Sequence, residues 1–258
     1  MNCSVVSIHN CPVKTVSFQS LKSCNIKKNI GMTNDRIFAF SRGVNFEKAK
    51  LIEKNPNERK LNNFLTLKNS PVLNKYNFIY EKNNLTLTFK NKELISINLD
   101  NSEDLSLISE KLLELETSLA KPIFLLKNSD FPFYDTTNSN NVMNSISLIN
   151  INSIKDFEKK INEKVEIQRF RGNFYVDGIE ALEERNWINK VIKINNVPFK
   201  VEKNIPRCVA INLKPKTDDN SLNLLKYLKT TYDNFDMGIY LTSLDEGKVH
   251  IGDKIELN

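Results

Sequence analysis

Cys208 is the side chain in this sequence best suited to chemistry. It stands in the run Ile205-Pro206-Arg207-Cys208-Val209 and is the only cysteine beyond Cys24. A thiol beside a guanidinium is drawn toward the thiolate, which is a nucleophile and a soft metal ligand. Free cysteine is more often a small buried hydrophobe without chemistry, and the local residues alone leave both readings open. Arg169-Phe170-Arg171-Gly172-Asn173 forms a polar turn entering the strand-like Phe174-Tyr175-Val176, and Lys14 and Arg36 sit in short runs near the start. Arg offers a planar fork to phosphate and Lys a point charge; each alone reads equally as a solvated surface charge. His9 and Cys11 are two metal-ligand types without further partners, too few for a protein-built metal site.

Length, composition and charge narrow the class. The 258 residues carry 40% hydrophobic and 26% charged side chains, enough to bury a core in one large or two medium domains. The net charge of +6 comes from Lys and Arg interspersed with Asp and Glu. With no zinc-finger spacing and no aromatic-basic RNA motif, no nucleic-acid partner is expected. No apolar run reaches about 18 residues, which excludes a membrane-spanning helix. Strand-like Ser4-Val5-Val6-Ser7-Ile8 begins at once, without the basic and apolar stretches of a leader. The four cysteines show no CxxC pair and no disulfide framework. That pattern suits a reducing, cytoplasmic setting.

The elements that must position these groups are mostly strands. Phe78-Ile79-Tyr80 and Leu85 to Phe89 flank a polar turn and read as a hairpin, and Leu94 to Leu99 continues the alternation. Leu105, Ile108, Leu112, Leu115 and Leu119 recur at helical spacing as a packing stripe. A polar stretch from Asn128 to Asn144 reads as a loop. It is followed by a strand over Ile146 to Ile151 and a helix capped by Ser153. Val191 to Ile194 and Val197 to Val201 make a tight hairpin across Asn195-Asn196, with Pro198 predicting an edge or a bulge. Leu222, Leu225 and Leu228 predict a short helix, and the chain closes in strands. The expected class is mainly β with a few helices (α+β), as two barrel-like lobes over residues 1–120 and 121–258.

Several runs, taken in order, resemble MOSC-domain proteins preceded by their N-terminal β-barrel domain, relatives of the mitochondrial amidoxime-reducing component and of bacterial hydroxylaminopurine-detoxifying proteins. The matching runs are Cys11-Pro12-Val13-Lys14-Thr15, Gly31-Met32-Thr33-Asn34-Asp35-Arg36, and Thr66-Leu67-Lys68 with Pro71 and Leu73. They continue with Tyr134-Asp135 ahead of Ile146-Ser147-Leu148-Ile149, then Arg169 to Asn173 with Gly178 and Glu184 to Trp187. Arg207-Cys208, Gly238-Ile239-Tyr240 and Gly252-Asp253 complete the series. The sequence departs from the family pattern at Cys11, Lys68, Gly172, the run Asn204-Ile205-Pro206, Ile211 and Lys214.

The resemblance implies an N-terminal β-barrel domain and a MOSC β-barrel domain holding a molybdenum cofactor, a pyranopterin with a dithiolene and a phosphate. By the same resemblance Cys208 is the metal ligand, with Asp135 as a polar residue near the metal. Lys14, Thr15, Arg36, Lys68, Ser147, Arg171, Asn173 and Arg207 fall at cofactor-binding positions. The implied activity is a reductase of small N-hydroxylated compounds. Its electrons would come from a separate flavoprotein reductase or ferredoxin, because no Rossmann fingerprint, ferredoxin cysteine set or haem motif is present. A sulfur or cofactor carrier and a degenerate, non-catalytic module are the alternatives. No pyridoxal phosphate is expected, since the sequence has no room for the desulfurase domain that uses it.

Overall fold

A computed structural model describes residues 2–16, 18–101, 105–134 and 146–257. Its main feature is an eight-stranded sheet. The strand order is Ile255–Leu257, Val191–Ile194, Val197–Pro206, Asp236–Ser243, Ile146–Asn150, Phe174–Asp177, Ser4–Asn10 and Gln19–Leu21. Neighbours run antiparallel except Ile146–Asn150 and Phe174–Asp177. A parallel pair needs a crossover, and the helix Ile151–Ile161 supplies it. Side chains alternate between faces at a period of two. Ile146, Leu148, Phe174 and Val176 enter one core with Trp187, Phe199 and Leu241. Ile149 and Tyr175 enter the other, where the helices Ile151–Ile161 and Leu224–Tyr232 contribute Phe157, Leu224 and Leu228.

A second body of structure lies between these strands in sequence. Tyr76–Glu81, Asn84–Phe89 and Lys92–Asn98 form a three-stranded meander. Lys82 and Asn83, with φ of 48° and 62°, make the tight turn whose twist matches a hairpin. The helix Leu105–Leu115 buries Ile108 and Leu112 in the meander's core, beside Phe38, Phe40, Leu67, Phe78 and Leu87. Phe38–Phe40 pairs with Leu125–Lys127, and Ser23–Lys27 pairs with Gly31–Met32 and Gly247–His250. Both the main sheet and this last small sheet thus take strands from either side of residue 120.

The mainly β, mixed α+β class is what the structure has, but the expected barrels are not closed. Among the described residues no sheet joins its own edges as a continuous ladder. The edges of the main sheet meet only at an isolated Ser4–Lys254 bridge, with bonds from Ile255 N–H to Cys3 C=O and from Val5 N–H to Asp253 C=O. The Ser4–Asn10 strand shows a register shift between Val5 and Ser7 in its pairing with Phe174–Asp177, and beyond it Ile8–Asn10 pairs with Gln19–Leu21 on its other side. Residues 30–127 are likewise two small sheets and helices, not a barrel.

Two local expectations are also corrected. The helix cap is Asn150, whose side chain accepts from Asn152 N–H; Ser153 instead donates its hydroxyl to the buried Glu184. A buried carboxylate demands donors, and Asn150 supplies a second one. Pro198 sits inside a strand paired on both sides. It lies beyond the last residue pair with Asp236–Ser243, where its carbonyl accepts from Leu244 N–H.

Candidate functional site

Cys208 sits where the strand Val197–Pro206 ends. Arg207 N–H donates to Phe235 C=O, and Cys208 then opens a single 3-10 turn over Val209–Asn212, with Ile211 N–H donating back to Cys208 C=O. Anchored on both sides, the thiol is nonetheless exposed. The small-hydrophobe reading of this residue is therefore excluded. The other three cysteines are buried, and burial pushes their thiols up to about 12 at Cys3, 11 at Cys11 and 12 at Cys24.

The Arg207 guanidinium is a strut. Its Nε donates to Met237 C=O at 2.8 Å and its Nη1 to Phe170 C=O at 2.6 Å, and its Nη2 also bonds Met237 C=O. It ties the Phe170 turn to the strand Asp236–Ser243, one residue before the thiol. Gly238 makes room for this. Its φ is +82°, and a Cβ there would lie 2.5 Å from Leu148 O and 3.3 Å from Arg207 Nη2, a position that only glycine tolerates.

The opposing groups come from the first segment. Residues Cys11–Lys14 run beside Asp35–Phe38 through bonds from Arg36 N–H to Cys11 C=O, Lys14 N–H to Phe38 C=O and Phe38 N–H to Pro12 C=O. Between them lies Asp35, fully buried. Its carboxylate accepts from Cys11 N–H at 2.6 Å, Asn173 Nδ2 at 3.2 Å and Arg36 Nη1. Burial pushes this carboxyl up, and Arg36 and the two neutral donors offset that only in part. Every partner is a donor and none could accept a carboxyl proton, so the arrangement is that of an ionised group. Lys14 is almost wholly buried and donates to Phe133 C=O at 2.9 Å. The Arg171 Nη2 donates to Thr15 C=O at 2.5 Å. Desolvation pulls both Arg171 and Arg207 below the ordinary guanidinium value.

Three of these residues adopt left-handed backbone: Thr15 at φ +77°, Arg36 at +54° and Arg171 at +53°. For a β-branched residue such as Thr15 this is uncommon and costs about 1–3 kcal/mol. The bent backbone presents the Thr15 carbonyl to Arg171.

Together these groups enclose a cavity of about 340 Å³, within the size range of small-ligand sites. Lys14, Thr15, Arg36, Lys68, Ser147, Arg171, Arg207 and Cys208 all line it. Among the described residues five of the lining side chains are cationic and none is a carboxylate. The rest of the wall is largely apolar, including Leu61, Leu67, Ile205, Pro206 and Ile211. Asn173 is not in the wall. It is fully buried behind it, where its Oδ1 accepts from the Ser147 hydroxyl at 2.9 Å and from Ser147 N–H, and its Nδ2 donates to His9 C=O. Ser147 faces the cavity with its hydroxyl already given to Asn173. Asp135 lies outside the described residues.

Phe18, Tyr134 and Asp35 were not among the sequence candidates. The Phe18 ring lies 4.8 Å from the Arg171 guanidinium carbon and 5.7 Å from that of Arg36, and the Tyr134 ring lies 5.6 Å from Arg36. Aromatic faces hold guanidiniums in place at low desolvation cost. For Asp35 the signal was its adjacency to Arg36. For Phe18 no pattern in the sequence could have served.

Among the described residues no cluster of three or more His, Cys, Asp or Glu could hold a metal ion.

A family model for the MOSC domain matches residues 135–256. The chain carries a MOSC domain. It is also 30% identical over 122 residues to mitochondrial amidoxime reducing component 2 of Rattus norvegicus, a stretch covering 43% of this chain and 36% of that protein. The match thus spans about a third of the relative's length. Among solved structures, the YuaD protein from Bacillus subtilis aligns over 100% of this chain and 96% of that one, at 10% identity and a TM-score of 0.45. YiiM from Geobacillus stearothermophilus aligns over 44% of this chain and 54% of that one, at 17% identity and a TM-score of 0.35. No helix among the described residues is long and apolar enough to cross a membrane.

Proposed function

We infer that this MOSC-domain protein binds a molybdenum cofactor and reduces small N-hydroxylated compounds, with electrons from a separate donor protein. The observation that carries this reading is the described part of the cavity lining: one exposed thiol and five cations. A pyranopterin dithiolene suits that donor set. It brings two sulfur ligands to a metal for which the protein offers a single thiol, and its phosphate needs cations. MOSC domains are associated with this cofactor, and the rat relative is named an amidoxime reducing component.

Cys208 would ligate the metal, and Lys14, Arg36 and Arg171 would hold the phosphate. Arg207 would keep Cys208 in place through the carbonyls of Phe170 and Met237. When bound, the cofactor supplies the two-electron redox chemistry. In the net reaction the N–O bond breaks, two electrons and two protons are taken up, and water leaves. The chain's own residues bind, orient and neutralise charge. The buried free thiols and the lack of a disulfide framework support a cytoplasmic location.

The exposure of Cys208 favours one second reading, a sulfur or cofactor carrier, because a carrier must present its sulfur to a partner. One experiment separates the readings: molybdenum and phosphorus per chain, measured by mass spectrometry on protein from a cofactor-competent host, beside Cys208→Ala and Arg36→Ala. A reductase retains about one metal per chain, shows a changed molybdenum spectrum in Cys208→Ala, and reduces a hydroxamic acid with dithionite. Absence of metal from a well-folded chain would end the reductase reading.

A further inference from the structure

Lys14 and Thr15 are the two central residues of a β-turn that Val16 N–H closes on Val13 C=O at 3.2 Å. Thr15 has φ +77° and Lys14 does not share the positive φ. That is the pattern of a type II turn, which requires positive φ at its third position and usually finds glycine there. A β-branched side chain resists this backbone. Two contacts of the cavity depend on it all the same. The turn carries Lys14 to Phe133 C=O, and it presents Thr15 C=O to Arg171 Nη2. Something outside the turn must hold it in shape.

Cys11 is placed to do so. Its Sγ lies 2.9 Å from Val13 O and 2.7 Å from Val16 O, so the thiol reaches both ends of the turn. It has one proton and serves one carbonyl at a time, and either bond ties the sulfur to the turn. Cys11 is fully buried, and burial pushes its thiol up to about 11, so it keeps the proton it donates. Its main chain is fixed as well: the N–H donates to Asp35 Oδ1 at 2.6 Å and the C=O accepts from Arg36 N–H at 2.6 Å. Arg171 Nη2 lies 4.0 Å from the sulfur. Cys11 lies behind the cavity wall and not in it, so whatever it does there it does through these neighbours. It is also a position where the sequence departs from the family pattern, so the role is this chain's own.

We propose that Cys11 is a positioning residue for the anion end of the cavity: its thiol clamps the Val13–Val16 turn and thereby holds Lys14 and Arg171 where they meet one phosphate group. This rests on the reading that these cations receive the cofactor's phosphate. The positive φ gives the role a signature of its own. Glycine adopts that φ without help, so with Thr15→Gly the turn no longer needs the thiol.

The test is calorimetric titration with inorganic phosphate of the full chain made in a host without the cofactor. The proteins are wild type, Cys11→Ala, Cys11→Ser, Thr15→Gly and Cys11→Ala/Thr15→Gly. Loss of the thiol should weaken phosphate binding about tenfold. The serine variant keeps a donor for the same carbonyls and should stay within about threefold of wild type. In the Thr15→Gly background the alanine substitution should cost no more than about twofold. Thermal unfolding of each variant is recorded alongside, and the affinities should not follow the midpoints. Equal affinity in wild type and Cys11→Ala, a serine variant as weak as the alanine one, the same loss in both backgrounds, or no phosphate binding by the wild type would each overturn the proposal. The same five proteins from a cofactor-competent host, analysed for molybdenum and phosphorus retained after dialysis, must give the same order, which keeps the test decisive where a cofactor-free variant fails to fold. Failure of the reductase reading would look different: no molybdenum in any of the five, with the order of phosphate affinities intact.

Discussion

Replacing Asn173 by aspartate changes one atom of a buried network and should make the protein's stability depend on pH. The Asn173 amide nitrogen lies 3.2 Å from Asp35 Oδ2 and 3.1 Å from His9 C=O, and donates to both. In Asn173→Asp an oxygen takes its place, facing two acceptors. Two carboxylates at that separation repel by about 5 kcal/mol at an effective dielectric of about 20. The site avoids part of this by holding a proton between the oxygens, so one carboxyl titrates well above its unfolded value. A shift of about 3 pKa units corresponds to about 4 kcal/mol. The sign follows from proton counting: above about pH 4 the unfolded chain binds fewer protons than the folded one, so stability falls as pH rises through the raised value. Below pH 4 both states hold the proton and most of the penalty disappears. Urea unfolding of wild type and Asn173→Asp at pH 4.5 and pH 8 measures this. The variant should be about 1 kcal/mol less stable at the lower pH and about 4 kcal/mol less stable at the higher. A loss that is the same at both pH values would refute the argument, since a shape defect does not titrate.

Three further outcomes follow from burial and backbone geometry. Brief native-state alkylation with iodoacetamide should add one label per chain, at Cys208, because the thiols of Cys3, Cys11 and Cys24 are buried and pushed up to about 11–12; intact mass spectrometry counts it, and two or more labels would contradict the burial. Arg207→Lys keeps a charge but cannot bond the carbonyls of both Phe170 and Met237, so thermal unfolding should register a loss of about 2 kcal/mol. Gly238→Ala forces a Cβ to within 2.5 Å of Leu148 O at φ +82°; the expected loss is about 3 kcal/mol or more in the same assay.

Much of this was legible in the sequence because its signals are local. The meander, the helix over Leu105–Leu115 and the Val191–Ile194 hairpin follow from side-chain period and turn residues, and the structure contains each of them. The ordered runs likewise pointed to the eight cavity-lining candidates, although those runs are scattered from residue 14 to residue 208. What was not legible depends on tertiary geometry. Nothing local tells that Asn173 turns away from the cavity to satisfy Asp35 and Ser147, or that Arg207 gives its nitrogens to backbone carbonyls. The register shift at Val5–Ser7 has no residue signature either. Ser153 was misread as a cap because the buried Glu184 that takes its hydroxyl lies 31 residues away.

The placement of charge explains why the two parts of the chain depend on each other. Bringing Lys14, Arg36, Arg171 and Arg207 around one cavity is costly through like-charge repulsion and desolvation, and the structure offsets that cost on each side. On the MOSC side the compensation is main-chain carbonyls: Phe170 and Met237 for Arg207, and Thr15, reached across the cavity, for Arg171. On the other side, among the described residues, Lys14 has the Phe133 carbonyl and Arg36 has the Asp35 carboxylate, which is held by Cys11 N–H and by Asn173, a residue of the MOSC side. Each side therefore supplies a group that the other needs to keep its cations buried. A MOSC segment cut at residue 121 would lose the Thr15 carbonyl and the Asp35 partner of Asn173, together with the Ser4–Asn10 strand of its own sheet. Expressed alone, it should expose the Phe174–Asp177 edge and aggregate, while the full chain remains monodisperse in size-exclusion chromatography at the same concentration. A soluble, cooperatively unfolding 121–258 segment would show that neither the shared strand nor the shared charge is needed, and that the coupling argued from Asp35 and Asn173 is not what holds the cavity together.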